Sequence, residues 1–136
     1  MSKTMTLDIL TPERSVCSVE ADIVVARALD GEIGILSNHA PLIAALDIAP
    51  LRYRKDGEEH AIAVNGGFLE VKDNQISILT PTAETEKEID FRRAEAAKVR
   101  AEQRLAAPSP EIDVRRAELA LRRAMMRLKL AEYVHR

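Results

Sequence analysis

The chain has 136 residues, of which 46% are hydrophobic and 3% aromatic, and its formal net charge is −2. A chain of this length forms one ordinary domain, or a domain with an appendage, around a core of mainly aliphatic side chains. No run approaches the 18 apolar residues of a membrane-spanning helix, and no secretory signal is expected because no long apolar run follows the N-terminus. The single cysteine, Cys17, cannot form an internal disulfide, which fits a reducing compartment.

The net charge conceals an asymmetry along the chain. Residues 1–83 contain 7 Lys and Arg against 12 Asp and Glu, whereas residues 84–136 contain 13 against 10. A basic C-terminal part can indicate a nucleic-acid partner, but this excess is small for that class. An acidic body that attracts its own basic tail is the simpler interpretation.

Residues 4–83 show the pattern of an all-β domain. Short β-rich runs alternate with turn dipeptides at Asp30-Gly31, Asp56-Gly57, Gly66-Gly67 and Asp73-Asn74. No helical pattern separates the runs, which argues against a parallel βαβ sheet and favours a β-sandwich or barrel. The predicted strands are Thr6–Leu10, Ile23–Ala28, Ile33–Leu36, Leu51–Lys55, Ala61–Val64, Phe68–Val71 and Ile76–Leu79.

Few residues of this N-terminal part are arranged for chemistry. The histidines His39, His60 and His135 are isolated, and no His, Cys or carboxylate positions have metal-ligand spacing. The sequence also lacks a P-loop, a G-x-G-x-x-G motif and a G-x-S-x-G motif. We therefore expect no catalytic residues, no metal site and no enzymatic activity of the chain itself.

From about Lys87 the composition changes to Ala, Glu, Arg and Leu, which are strong helix formers. The break at Ala107–Pro110 divides this stretch into two predicted helices, the second running to about Val134. Within the break, Ser109 is suited to an N-cap and Pro110 to the first helical position. So short a break predicts an antiparallel hairpin. The hairpin is poor in large apolar residues, so it needs a partner surface on the β domain or on another protein.

A hexapeptide marks the start of each predicted helix, as Ile89–Ala94 and again 23 residues later as Ile112–Ala117. Several arginines have an acid three or four residues earlier, a spacing that favours intrahelical ion pairs. These predicted pairs are Glu88 with Arg92, Asp90 with Arg93, Glu111 with Arg115, Asp113 with Arg116, and Glu118 with Arg122.

Four other arginines, Arg100, Arg104, Arg123 and Arg127, have no acid at those spacings. They form two like-charged i,i+4 pairs, each costing a few tenths of a kcal/mol. Two facing rows of such arginines would suit a polyphosphate, because guanidinium groups match phosphate oxygens. The alternative is that these arginines are solvated or pair with acids of the β domain or of a partner.

Three segments resemble the epsilon-subunit family of bacterial F-type ATP synthases, and the resemblance extends over essentially the whole chain. They are Gly31–Leu42, Val64–Val71 and Ile89–Ala94. Family members often have Pro-Gly where this chain has Ser37-Asn38, and often Ser at Asn65; both changes are compatible with turns. The resemblance implies an α+β chain with a ten-stranded β-sandwich over residues 1–84 and a mobile, antiparallel two-helix hairpin over residues 85–136.

The resemblance also implies a function. The chain would be a non-catalytic central-stalk subunit of the rotor of a proton-translocating F1Fo ATP synthase. Its sandwich would bind the gamma subunit and sit on the c-ring, and a loop with Glu32, Ser37, Asn38 and His39 would face that ring. In an extended state its helices would reach the alpha and beta catalytic subunits and inhibit ATP hydrolysis. It would be a peripheral membrane protein at the cytoplasmic face of the bacterial cell membrane, attached only through the complex.

In this family an I/L-D-x-x-R-A motif marks members whose contracted hairpin binds ATP. Both hexapeptides have this pattern, but only the first, Ile89–Ala94, aligns with the family's motif. The resemblance therefore implies ATP as a regulatory ligand, without a requirement for Mg²⁺. Arginine side chains would hold phosphate oxygens, two carboxylates would accept hydrogen bonds from adenine or ribose, and two apolar residues would contact the base. The implied residues are Arg93, Arg100, Arg123 and Arg127 for the first role, Glu84 and Asp90 for the second, and Ile89 and Ala94 for the third.

Two other functions remain open from the residues. One is a purely structural rotor subunit that does not sense ATP. The other, more remote, is a nucleic-acid-binding helical hairpin on a β body, against which the near-neutral charge argues.

Overall fold

The computed structural model of the chain describes residues 4–107 and 109–134, with side chains up to Leu130 in the last helix. Strands come first and helices last along the described chain, as expected for an α+β protein. The strands are β1 Met5–Leu10, β2 Ser15–Ala21, β3 Ile23–Ala28, β4 Gly31–Leu36, β5 Leu42–Lys55, β6 Glu58–Lys72, β7 Gln75–Leu79 and β8 Ala83–Thr85. A 3₁₀ turn at Glu86–Glu88 leads to helices α1 Phe91–Ala106 and α2 Val114–Val134.

The strands form a hydrogen-bonded sheet in the order β2-β1-β7-β6-β5-β3-β4, with β8 paired to β6. Neighbours are antiparallel except β1 and β7, which run parallel. Buried residues from both ends of this order, such as Leu7 and Ile9 of β1 and Ile35 of β4, belong to one apolar cluster. The sheet therefore folds over into two layers with the core between them, and the predicted sandwich is confirmed.

The two longest strands explain the expected number of ten. β5 has 14 residues and β6 has 15, and the two halves of β6 pair with different neighbours. Gly66 and Gly67 lie between those halves with φ angles of 77° and 101°. The turn predicted at these glycines is wrong: they bend one continuous strand, because only glycine adopts such angles without strain. Counted by halves, β5 and β6 raise eight continuous strands to ten.

Three other predicted turns are confirmed. Asp56-Gly57 and Asp73-Asn74 have positive φ at both positions, as the tight turns of antiparallel hairpins require. Asp30-Gly31 connects β3 to β4. The sequence pattern did not predict β2, β8 or residues 42–50 of β5. β2 has only one fully buried residue, and β8 is three residues long.

An aspartate begins each helix, and both helices start later than the sequence suggests. The Asp90 carboxylate accepts a hydrogen bond from the Arg93 backbone N–H at 3.1 Å, and Asp113 accepts one from the Arg116 N–H at 3.0 Å. The predicted cap at Ser109 is wrong, because the Asp113 cap starts α2 at Val114. The Asp–Arg spacing of both hexapeptides thus reflects a side chain bonded to a backbone N–H, not an ion pair between side chains.

The helices form an antiparallel hairpin that lies against the sandwich. Small buried residues allow their close approach: Ala94 and Ala101 of α1, and Ala117 and Ala124 of α2. Helix α2 packs on β5 and β6. A second apolar cluster, separate from the sandwich core, fills this interface with Ala61, Ala63, Ile89, Met126 and Leu130. In the described part of the chain, neither helix has a stretch long and apolar enough to cross a bilayer.

Candidate functional site: an arginine-lined cleft

A cleft of about 600 Å³ lies between the hairpin and the sandwich. This volume is within the range of small-molecule sites. Its walls come from the β1–β2 turn, the chain around β8 and the 3₁₀ turn, and one face of each helix. Seven of the eight residues predicted to contact ATP line it, namely Glu84, Asp90, Arg93, Ala94, Arg100, Arg123 and Arg127.

The helix geometry brings the arginine rows together. Arg93 and Arg100 are seven residues apart on α1, and Arg123 and Arg127 are four apart on α2, so each pair lies on one helical face. Because the helices are antiparallel, the start of α1 lies beside the C-terminal half of α2. The lining residues between the arginines are small alanines, which leaves the cleft open.

One of these arginines already has a partner in the sandwich. Arg127 donates from Nε to a Glu84 carboxylate oxygen at 2.6 Å, and both side chains are 30% exposed. This ion pair joins α2 to β8 and matches the alternative in which such arginines pair with acids of the β domain. Arg93, Arg100 and Arg123 form no ion pair within residues 4–107 and 109–130. Three guanidinium charges therefore line one cleft without an acidic partner among those residues.

Two of the cleft acids, Asp90 and Glu88, are held by hydrogen bonds at the entry to α1. One oxygen of Asp90 caps the helix. One oxygen of Glu88 accepts bonds from the Thr85 N–H at 3.0 Å and hydroxyl at 2.9 Å, and the other accepts from Arg14 at 2.6 Å. The Thr85 backbone hydrogen bond, with help from its hydroxyl and Arg14, lowers the pKa of Glu88. Glu88 is therefore ionised and fixed near neutral pH.

The structure gives Ile89 a different place from the one expected. Its side chain is 8% exposed and lies in the apolar cluster with Met126 and Leu130, and it does not line the cleft. The expected contact of Ile89 with a base is therefore corrected to a packing role: it anchors the entry of the hairpin to the sandwich.

Several predicted intrahelical ion pairs are replaced by contacts between elements. Arg122 pairs with Asp47 of β5 rather than with Glu118, and Arg27 lies 4.0 Å from the same carboxylate. Glu88 pairs with Arg14 rather than with Arg92. In the described part of the chain, Glu111 and Arg115 form no ion pair either. Exposed i,i+4 pairs contribute only about 0.3–0.5 kcal/mol, so better-placed partners displace them.

The residues expected to face a ring do not share one loop. Glu32 lies on β4, where its carboxylate accepts a hydrogen bond from Arg52 at 3.2 Å. Ser37, Asn38 and His39 follow the other end of the strand, about 16 Å away along it. There Asn38 has a φ of 65° and donates its N–H to the Asn74 side chain at 2.8 Å. The expectation of a single loop is corrected to two separate ends of β4.

No sequence motif indicated the third wall of the cleft. Thr11, Glu13 and Arg14 of the β1–β2 turn line it, together with Pro81 and Thr82. These residues belong to none of the motifs, and the turn is more than 70 residues from the helical arginines. Only the folded sheet brings them together.

A separate surface of the sandwich is apolar and exposed. Leu10, Leu79 and Phe68 are cross-strand partners on β1, β7 and β6, so they lie on one face. They are 38%, 57% and 60% exposed, and Ile43 beside them on β5 is 72% exposed. A row of four exposed large apolar residues marks a contact surface more often than a solvated face. We refer to it below as the apolar row.

Comparison with known proteins identifies the family. The model of the ATP synthase Delta/Epsilon chain beta-sandwich domain matches residues 4–86, and that of the long alpha-helix domain matches residues 87–132. The ATP synthase epsilon chain of Desulforamulus reducens is 54% identical over 132 residues, which cover 97% of this chain and all of that relative. The chain belongs to the ATP synthase epsilon-chain family. The epsilon chain of Pelotomaculum thermopropionicum is 51% identical over 104 residues, 76% of this chain and 78% of the relative.

Solved structures show the same fold at low sequence identity. A chain of the Euglena gracilis mitochondrial ATP synthase, solved as OSCP/F1/c-ring in rotational state 1, superposes with a TM-score of 0.82 at 21% identity, over 97% of this chain and 83% of that one. A chain of the Tetrahymena thermophila mitochondrial ATP synthase central stalk and c-ring gives 0.57 at 18%, over 95% and 93%. As an ATP synthase epsilon chain, this protein is a non-catalytic subunit of the central stalk, within a membrane-associated complex.

Proposed function

We propose that this epsilon chain binds ATP as a regulatory ligand in the arginine-lined cleft, and that ATP stabilises the contracted hairpin. The observation that carries the proposal is the set of three cleft arginines, Arg93, Arg100 and Arg123, without an acidic partner among the described residues. Like charges lining one cleft repel each other, and a polyphosphate between them would turn that repulsion into attraction. A triphosphate carries enough oxygens to contact all three guanidinium groups.

Each part of the nucleotide has a candidate partner. Arg100, Arg123 and Arg127 would hold phosphate oxygens, with Arg127 keeping its Nε bond to Glu84 and using its terminal nitrogens. Arg93 would contribute there or at the ribose. Asp90 keeps an oxygen outside its cap that can accept from ribose or adenine, as Glu84 can. Alanines such as Ala94 allow close approach of the base. The proposal requires neither ordered Mg²⁺ nor hydrolysis of the nucleotide.

The energetic consequence is that the ATP concentration would control the equilibrium between the contracted and the open hairpin. A ligand that binds only the contracted form stabilises it by about 2.7 kcal/mol at a hundred times its Kd. Among the side chains described, up to Leu130, the large residues that α2 buries in this interface are Met126 and Leu130. When ATP falls, the hairpin would open, and helix α2 would extend toward the alpha and beta catalytic subunits and inhibit ATP hydrolysis.

The sandwich would provide the fixed attachment to the rotor. We assign the apolar row to the gamma subunit, because a stalk assembly must cover such a face, and the low-identity structural matches come from F1/c-ring and central-stalk assemblies. One end of β4, with either Glu32 or the Ser37–His39 turn, would then face the c-ring. The chain would be held at the cytoplasmic face of the bacterial cell membrane through these partners alone.

Calorimetric titration of the purified chain with ATP tests the ligand proposal. We expect saturable binding that Arg123→Ala weakens at least about tenfold, because a hydrogen bond between charged groups contributes about 1.5–3 kcal/mol. Arg115→Ala is the matched control on the same helix, since Arg115 does not line the cleft. No binding at millimolar ATP would reject the ligand proposal and leave a purely structural rotor subunit. Salt-dependent binding to DNA in its place would favour the nucleic-acid alternative.

A further inference from the structure

The β1–β2 turn places a fifth arginine in the cleft. Arg14 is part of the sandwich and lines the cleft opposite the helical arginines. The turn that carries it is well fixed: the Thr11 N–H donates to the Arg14 carbonyl at 2.9 Å, and the Thr11 hydroxyl bonds the Arg14 backbone at 3.2 Å. The backbone position that carries the Arg14 side chain is therefore well defined.

The Arg14 guanidinium is oriented from one side only. Its Nη2 donates to Glu88 at 2.6 Å and to the Ala83 carbonyl at 3.4 Å. Glu88 is in turn fixed through its other oxygen by Thr85. A guanidinium carries five N–H donors, and within the described residues Nε and Nη1 of Arg14 form no hydrogen bond. Three donors on an oriented, 47% exposed side chain thus remain for a ligand.

The origin of the cleft arginines gives Arg14 a distinct role. Arg93 and Arg100 come from α1, and Arg123 and Arg127 from α2, so an anion held by them alone would join the helices to each other. It would do so equally well in a hairpin detached from the sandwich. Glu84 also lies on the sandwich and can accept from ribose or adenine, but its carboxylate repels phosphate and so does not hold the anion. Arg14 is the cleft cation that the sandwich supplies.

We propose that Arg14 binds a phosphate of the nucleotide and so ties the ligand to the sandwich. Arg14 would then convert nucleotide binding into docking of the hairpin, beyond closure of the two helices on each other. The inference rests on the proposed ATP site, to which it adds Arg14 as a ligand residue and docking of the hairpin as a consequence of binding. The ligand class is a nucleoside polyphosphate bridging both parts of the chain.

Calorimetry of the full chain with ATP and with adenosine tests this role, using Arg14→Gln and Glu88→Gln as a matched pair. Arg14→Gln should weaken ATP binding about tenfold or more and leave the weaker adenosine binding unchanged. Glu88→Gln breaks the same ion pair but keeps the guanidinium and removes a negative charge. It should therefore weaken ATP binding clearly less than Arg14→Gln does.

The outcomes separate the inference from the proposal beneath it. If the unmodified chain does not bind ATP, the ATP site itself is rejected. If it binds and Arg14→Gln binds equally well, the ATP site stands and the role of Arg14 is rejected. Equal weakening by Arg14→Gln and Glu88→Gln would also overturn the inference, because Arg14 would then act only by holding the segment before α1.

Discussion

Leu130 is the side chain on which docking of the hairpin should depend most. It is fully buried on α2 and packs with Met126, Ile89 and two alanines of β6, in a cluster separate from the sandwich core. Replacing a buried leucine by alanine costs about 2–5 kcal/mol. Because the sandwich core lacks Leu130, that cost falls on the docked state alone. A loss of 2 kcal/mol already lowers the ratio of docked to undocked hairpin about 30-fold.

Pulsed electron paramagnetic resonance can measure this shift. Spin labels at Glu58→Cys on the sandwich and Glu118→Cys on α2, in a Cys17→Ser background, report the distance between the two parts. Leu130→Ala should broaden the distribution and move it to longer distances without ATP, while the sandwich keeps its thermal unfolding midpoint. Met125→Ala is the control, because Met125 lies on the same helix but is 51% exposed. An unchanged distribution, or a sandwich that unfolds at a lower temperature, would refute the reasoning.

Three further predictions concern the sandwich, the helix start and the rotor surface. Gly67→Ala should lower the free energy of unfolding by about 2 kcal/mol or more, because the added Cβ would collide with the carbonyl oxygen of Leu79 and the φ of 101° is strained for alanine. Denaturant titration measures this loss, and a variant of unchanged stability would contradict the requirement for glycine at this bend. Asp113→Ala should destabilise α2 by about 1 kcal/mol, because it removes the N-cap of that helix. Hydrogen exchange should show faster amide exchange in residues 114–117, whereas Ser109→Ala should leave their exchange rates unchanged. Phe68→Glu should change the free energy of unfolding by less than about 0.5 kcal/mol, since Phe68 is 60% exposed, yet it should weaken co-purification with the gamma subunit. Unchanged co-purification would show that the apolar row does not contact that subunit.

The sequence predicted best where local chemistry and tertiary structure agree. The turns at Asp56-Gly57 and Asp73-Asn74 need positive φ, and their residue types supply it. The Gly66-Gly67 pair is also a turn signal with positive φ, but it bends a strand, because the residues on both sides of it pair with neighbouring strands. Residue type alone does not distinguish a turn from a bend.

The helical residues of the candidate site could be predicted from the sequence, but most of its sandwich residues could not. The absence of nearby acids singled out Arg100, Arg104, Arg123 and Arg127, and the structure places all of them except Arg104 in the cleft. Nothing local could reveal that Arg122 pairs with Asp47, or that Arg14 reaches Glu88, since 75 and 74 residues separate the members of each pair. Such contacts are decided by the register of the sheet and by the docking of α2.

The central claim is that ATP holds the hairpin against the sandwich through the cleft arginines. The most direct measurement is the Glu58–Glu118 label distance in the purified chain, with and without millimolar ATP, for the parent and for Arg123→Ala. We expect ATP to narrow the parent's distribution to the docked distance and to leave that of Arg123→Ala unchanged. A parent distribution that does not respond to ATP, or one that responds equally in both proteins, would contradict the account.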